Sequence, residues 1–332
     1  MIITQTPFRL SLCGGSTDYF SWFSKNSGLV VGSTINKYCY VSTRYLPPYH
    51  DYKTRLMYSR IEQVKKNEDI EHKPILECLK YLELDQAGLE IIHSSDLPSR
   101  TGIGSSSSFI VSLLNALSSL KHIRMYPDEL AKTAVHIERE ILGESGGIQD
   151  QWWASFGGIN IMEFKQNGTV SVIPMNLSKQ QIQNLTSSLL LIYTGITRTS
   201  ADIAKTYVYK LENEKVKEMW SLMRLTESAI DAIYKQNYEK LGDTINQSWR
   251  IKSSLSSCVS SPEIDASYAT ARAMGAYGGK LIGSGGGGCL LLVVPVEKRE
   301  YIASQMKLKF GFQEIPFEFS FEGSKVIFAN EN

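Results

Sequence analysis

No run in the 332-residue sequence approaches the eighteen unbroken apolar residues that a membrane-spanning helix needs. The N-terminus, MIITQTPFRLSL, lacks a basic segment followed by a long apolar core, so no secretory signal is expected and the cytoplasm is the expected compartment. Cysteine is scarce. The five present, Cys13, Cys39, Cys78, Cys258 and Cys289, are scattered with no CxxC or Cys/His cluster, which argues against a disulfide framework and structural zinc. Charge of either sign is nearly absent in excess, with a formal net value of +1, so nothing points to nucleic acid or a membrane surface as partner. The expected partners are small molecules, and no feature specifies an oligomeric state. Histidine is absent after His136, so the GESGG at 143–147, a match to the GxSxG of serine hydrolases, cannot have its histidine downstream in the order that fold requires. The Walker pattern GxxxxGK[ST] is missing too.

What remains is a soluble globular composition, 42% hydrophobic and 21% charged, with length for two domains. Strand-like runs (ITQTPFRLSL, GLVVGSTI, YCYVSTRYL, GLEIIHSS) mix with helical ones (EHKPILECLKYL, SFIVSLLNALSSL, PDELAKTAVHIEREIL) without a regular βαβ beat, which predicts an α+β fold. The polar segment NLSKQQIQN (176–184) reads as a linker, dividing the chain into domains at 1–180 and 181–332. The second half is predicted to hold a strand, SLLLIYTG, a long helical region from about Ser200 to Leu255, and KLIGSGGGGCLLLVV.

The densest cluster is RTGIGSSSSFIV (100–111), lying between a strand and a helix whose apolar residues Phe109, Ile110, Leu113, Leu114 and Leu117 recur at helical spacing. Gly102, Ile103 and Gly104 with Ser105, Ser106 and Ser107 therefore sit at a helix N-terminus. There, unpaired N–H groups and the macrodipole favour a phosphate, and serine hydroxyls add donors and metal ligands. A serine-rich cap on a glycine turn would read the same way. Rossmann binding is disfavoured because Ser107 stands at the third glycine, while GSGGGG (283–288), which fits literally, opens onto a strand. In PDELAKTAVHIEREIL, Glu138 falls in the middle of the apolar arc, where a carboxylate needs a partner: a magnesium ion shared with the serines, or an arginine such as Arg9 or Arg44. Asp150, in GGIQDQWWASFGG, is either a cap or turn residue or, in a dry site near phosphate, an acceptor for a hydroxyl proton. Arg9 points to the face of its strand opposite Phe8 and Leu10. Beyond it, CGGSTDY offers Thr17 and Asp18 to sugar hydroxyls, or a hairpin turn.

Together these segments resemble the GHMP kinases. TPFRLSLCGGSTDY looks like the family's first motif, LPSRTGIGSSSSF its phosphate loop, KLIGSGGGGC its third motif, and GGIQDQ the segment that carries the catalytic Asp in its sugar kinases. Within the family, the first motif, GIQDQWWASFGGIN and YTGITRTSADI look most like the kinases of heptose 7-phosphate, which phosphorylate the anomeric C1 hydroxyl for nucleotide-activated heptose. The resemblance implies a ribosomal protein S5 domain 2-like N-terminal half and a ferredoxin-like C-terminal half with the site in the cleft between them. It implies ATP and Mg2+ as cofactors, Asp150 as base supported by Arg9, and Ser106 with Glu138 on the metal. Gly15, Thr17, Asp18, Gly285 and Gly286 would meet the sugar. For a phosphate already on the substrate, Arg198 is the first candidate, followed by Lys53 and Arg250.

Overall fold

The longest strand, Gly28–Tyr45, organises the first sheet. The strand Ile2–Cys13 runs antiparallel along it, from Ile2 opposite Thr43 to Cys13 opposite Val31. Its other edge pairs with Ile159–Phe164 near one end and Leu89–Ser95 near the other. The computed structural model describes residues 1–196 and 200–330; among these, nine strands make this sheet and four make a second, antiparallel one. The second sheet has Leu189–Tyr193 and Cys289–Val293 at its centre, LLLIY and CLLLV, short apolar runs that are almost wholly buried. Mixed helix and sheet without a doubly wound order is the expected α+β class. No helix among the described residues is long and apolar enough to cross a membrane.

Helix Ser105–Leu120 is buried nearly all round against the first sheet. Its buried serines survive there because each hydroxyl has a partner: Ser107 donates to Glu138 at 2.9 Å, Ser108 to the Pro7 carbonyl at 3.1 Å and Ser118 to the Asn115 carbonyl at 3.2 Å, and Ser112 shares a 2.9 Å bond with Thr4.

Three local expectations change. The polar 176–184 segment is partly helix, Lys179–Ser188, started by a capping box between Ser178 and Gln181; S-x-x-Q was the readable signal, and polarity masked it. The long helical region is not continuous. Its main parts are Val216–Tyr234 and Tyr238–Ser253, the second capped by Asn237. The helix that begins at Pro127 ends at His136 in a single π turn, Ile137–Ile141, closed by Leu142 N–H on the Ile137 carbonyl at 2.9 Å. Ile141, at the end of that turn, is exposed, while Glu138 within it stays buried, and π turns recur at functional sites. The chain end also returns to the first sheet: Phe319–Ser320 pairs with the long strand and Lys325–Ala329 with the first.

The two glycine-rich segments meet backbone to backbone. Gly102 has φ +78°, and a Cβ on it would lie 2.4 Å from the Ile282 carbonyl oxygen; one on Gly288 would lie 2.4 Å from that of Thr101. Cys289 N–H donates to the same Thr101 carbonyl at 3.0 Å, so TGIG and the 283–288 loop pack with no room for side chains. Gly102→Ala is therefore expected to destabilise the protein by ~2 kcal/mol, measured by denaturant unfolding, from φ strain and the clash together. A near-neutral effect would mean the loops can separate without cost.

A second expectation concerns pH. His72 caps helix Lys73–Tyr81 by accepting the Ile75 N–H on Nδ1 at 3.3 Å, which requires a neutral ring, and burial holds its pKa below the ordinary value. A histidine kept neutral in the fold but charged when unfolded stabilises the fold above about pH 6.5 and ceases to do so as pH falls. The melting temperature should drop on acidification, and less so in His72→Asn, which keeps an acceptor and does not titrate. Identical pH profiles would remove His72 from that account.

Candidate active site

The sheet, the serine helix and the glycine loops enclose a cleft of about 1020 Å³. At its centre Arg9, on the first strand, is 5% exposed. Its guanidinium grips Asp150 bidentately, Nε to Oδ1 at 2.7 Å and Nη2 to Oδ2 at 2.9 Å, while Nη1 donates to the Gly102 carbonyl. Asp150 stands in the first turn of helix Gln149–Phe156, where a carboxylate suits the dipole. It keeps 23% of its side chain exposed, facing the cleft.

Gly104 caps the serine helix in the left-handed conformation, φ +78°. It lies so close to the pair that a Cβ there would be 3.1 Å from Arg9 Cγ and 3.3 Å from Asp150 Oδ2. The unpaired amides of this helix start, with Ser105 and Ser106 partly or fully open to the cleft, thus come beside Asp150. Ile103 is buried and hands its carbonyl to the Arg9 N–H at 3.1 Å, so its contribution is backbone alone.

Glu138 is 1% exposed and meets neutral donors: Ser107 Oγ at 2.9 Å, Ser106 Oγ at 3.3 Å and Gln151 Nε2. Neither arginine considered as its partner reaches it. Arg9 holds Asp150, and Arg44 pairs with Glu90 at 2.8 Å. Burial pushes the Glu138 carboxyl up to about 7, against the weaker pull of Arg139. A buried carboxylate with hydroxyls and no cation fits magnesium, which takes one or two carboxylates and completes its shell with phosphates and water. Among the described residues no group of three or more His, Cys, Asp and Glu forms a protein-only metal cage.

Asp18 and Gly15 also line the cleft. The Asp18 carboxylate accepts the N–H of Ser16 at 3.1 Å and of Gln149 at 3.2 Å, and burial followed by the Asp150 charge raises its pKa. Thr17, expected to meet the sugar, is not on the cleft wall. Its hydroxyl donates to the Gly14 and Leu29 carbonyls and accepts the Leu29 N–H, all within 3.0 Å, which makes it a brace for the turn. Gly285 and Gly286 likewise pack on Val259, with Gly286 N–H on its carbonyl at 2.8 Å, and the loop residues that reach the cleft are Gly283 and Ser284. Among the basic candidates, Arg198 lies outside the described residues, Arg250 is exposed on its helix, and Lys53 is not on the cleft wall.

Cations not singled out from sequence also line it: Arg100 and Arg139, and the buried pair Lys252 and Lys280. Lys252 extends the buried stripe Leu241, Ile245, Ser248, Trp249, and its Nζ donates to the Gly283 carbonyl. Lys280, on strand Gly278–Leu281, is 4% exposed. A charge on an apolar stripe was the signal that singled out Glu138, and Lys252 carries the same signal. Burial, opposed by Asp18, lowers Lys252 to about 8; burial and then the Lys252 charge lower Lys280 to about 7. Also on the cleft wall, the Phe109 ring lies 4.8 Å from that of His93 and 5.4 Å from that of His72, and burial lowers the pKa of both histidines.

Residues 73–158 match the N-terminal domain of the GHMP kinases and residues 229–311 their C-terminal domain. The chain is 32% identical to the D-glycero-alpha-D-manno-heptose 7-phosphate kinase of Campylobacter jejuni, over 98% of each chain. It is 26% identical to the mevalonate kinase of Pyrococcus horikoshii, over 80% of each. A solved D-glycero-D-manno-heptose 1-phosphate kinase from Bacteroides thetaiotaomicron, 22% identical, superposes over 100% of both chains with a TM-score of 0.82, which establishes a shared fold. Matched in both domains, and similar over 98% of its length to the Campylobacter jejuni kinase, the chain belongs to the GHMP kinase family.

Proposed function

We propose that the protein transfers the γ-phosphoryl group of ATP to the anomeric C1 hydroxyl of D-glycero-D-manno-heptose 7-phosphate, yielding the 1,7-bisphosphate and ADP. The observation that supports this most strongly is the convergence of Asp150, clamped by Arg9, with the serine helix start and Glu138 in one cleft. The name of the Campylobacter jejuni relative supplies the sugar. We place the boundary between an ATP-binding N-terminal domain and a C-terminal GHMP domain near residue 180, with the chain end contributing strands to the first sheet.

In this reading the triphosphate lies on the N–H groups of 102–107, where dipole and bare glycine backbone favour it. The base stacks in the aromatic end formed by Phe109, His72 and His93. A magnesium ion would be held by Glu138 and Ser106 and would neutralise charge on the β- and γ-phosphates. Asp150 accepts the C1 hydroxyl proton as the oxygen forms its bond to phosphorus and the bond to ADP breaks. Arg9 fixes the rotamer of Asp150 through a bidentate pair of hydrogen bonds. Asp18 orients sugar hydroxyls from a carboxylate already fixed by two backbone N–H groups. No covalent enzyme intermediate is required.

Asp150→Asn should lower kcat by ~10²–10⁴-fold while leaving ATP-analogue binding intact, read by ADP release and calorimetry. Near-normal turnover would sink Asp150 as the base. Glu138→Gln should shift the magnesium titration of ADP release to higher concentrations, and an unchanged titration would return Glu138 to a structural role.

A further inference from the structure

Around Gly15 the cleft wall carries cations and hydroxyls in excess of its one carboxylate, Asp18. A Cβ at this position would lie 3.7 Å from Lys252 Nζ, 3.8 Å from Gln149 Nε2 and 3.9 Å from Ser11 Oγ, so three polar heads ring a space that the bare glycine leaves open. Ser11 Oγ and, on the adjoining loop, Ser284 Oγ are buried and have no hydrogen-bond partner in the structure. Lys280 brings a second cation close enough to depress its own pKa through Lys252. Among the described residues no carboxylate lies within 4.0 Å of either lysine. Arg9 is already matched by Asp150, which leaves two lysines against the single charge of Asp18 on this side of the cleft.

Buried cations with only a carbonyl for company are costly, and both lysines are held below their ordinary pKa. A dianion placed between them would remove that cost and satisfy the orphan hydroxyls. The elements here, the turn at Gly15, helix Tyr238–Ser253 and strand Gly278–Leu281, are not those that carry Ser105–Ser107 and Glu138. The recess and the phosphate loop thus draw on different side chains, although their loops touch at Gly102 and Gly283.

We infer that the recess at Gly15, walled by Lys252, Lys280 and Ser11, is an anion site that receives the phosphate the acceptor sugar already carries. The inference rests on the proposed reaction for the identity of the sugar, and the recess itself assigns only a phosphorylated acceptor. It replaces the basic residues expected from sequence with two lysines of the C-terminal half.

The test compares wild type with Lys252→Met, Lys280→Met and Gly15→Asp, the last placing a carboxylate in the recess with both lysines kept. Steady-state kinetics are run with heptose 7-phosphate and with the unphosphorylated heptose, and binding of both to the enzyme saturated with magnesium and a non-hydrolysable ATP analogue is measured by calorimetry. Retained binding of the analogue shows that each variant is folded. The expected result is a rise of ~30-fold or more in KM for the sugar phosphate, as for loss of one partner of a buried charge pair, with KM for ATP unchanged. The preference for phosphorylated over free sugar should collapse in all three variants, and Lys252→Arg should restore part of it. If the preference is unchanged, or kcat falls equally on both sugars with KM unaltered, the anion site is overturned and the lysines serve the transferring phosphoryl group. If wild type ignores heptose 7-phosphate but uses another sugar phosphate in a lysine-dependent way, the heptose assignment fails and the anion site stands.

Discussion

One buried guanidinium sets the geometry on which the site depends. Arg9 comes from the first strand, which pairs along nearly its whole length with the longest one; it spans Asp150 with two hydrogen bonds and donates to the Gly102 carbonyl from a third nitrogen. A single rigid fork thus fixes the distance between the proposed base and the phosphate loop. Lysine could not do this, because its ammonium is a point charge without planar bidentate geometry. Such a pair adds little net stability, since desolvating both charges offsets most of their attraction. Its value is positional. Removing either partner would leave a buried charge and free the loop.

The glycines follow from that constraint. To lie beside Asp150, the helix start must approach to within side-chain-free distance, and Gly104 provides this with a left-handed φ. To seat the C-terminal loop on the same backbone, Gly102 and Gly288 must both be bare. The cleft is then closed on one side by Glu138 and its serines and on the other by Asp18, Lys252 and Lys280. The Glu138 side has a carboxylate among hydroxyls, and the Lys252 and Lys280 side has two cations with the Asp18 carboxylate near them.

Most of this was legible where local chemistry is strong. The serine helix announced itself by apolar spacing after two glycines, and Glu138 by its place on an apolar arc. Its burial survives a π turn that helical spacing alone could not foresee. Thr17 was misjudged because a hydroxyl beside Asp18 looks the same in sequence whether it meets a sugar or braces its own turn. Gly285 and Gly286 were chosen from a run of four glycines in which only three-dimensional packing tells cleft from core. Lys252 was overlooked although it extends the apolar stripe of its helix, the signal that marked Glu138, whereas Lys280, in a four-residue strand, has no such stripe and joins Lys252 only through packing within the C-terminal half. The chain's return to its first sheet was hidden likewise, since pairing across about 320 residues leaves no local trace.

The central claim is that this cleft phosphorylates the anomeric oxygen of a sugar that already bears a phosphate. It is tested most directly by phosphorus NMR of the products formed from ATP, magnesium and D-glycero-D-manno-heptose 7-phosphate. The account predicts one equivalent of ADP for each new phosphate resonance coupled to the anomeric proton, with the original 7-phosphate retained. A new phosphate coupled to any other carbon, or ADP formed without a second phosphate on the sugar, would contradict it.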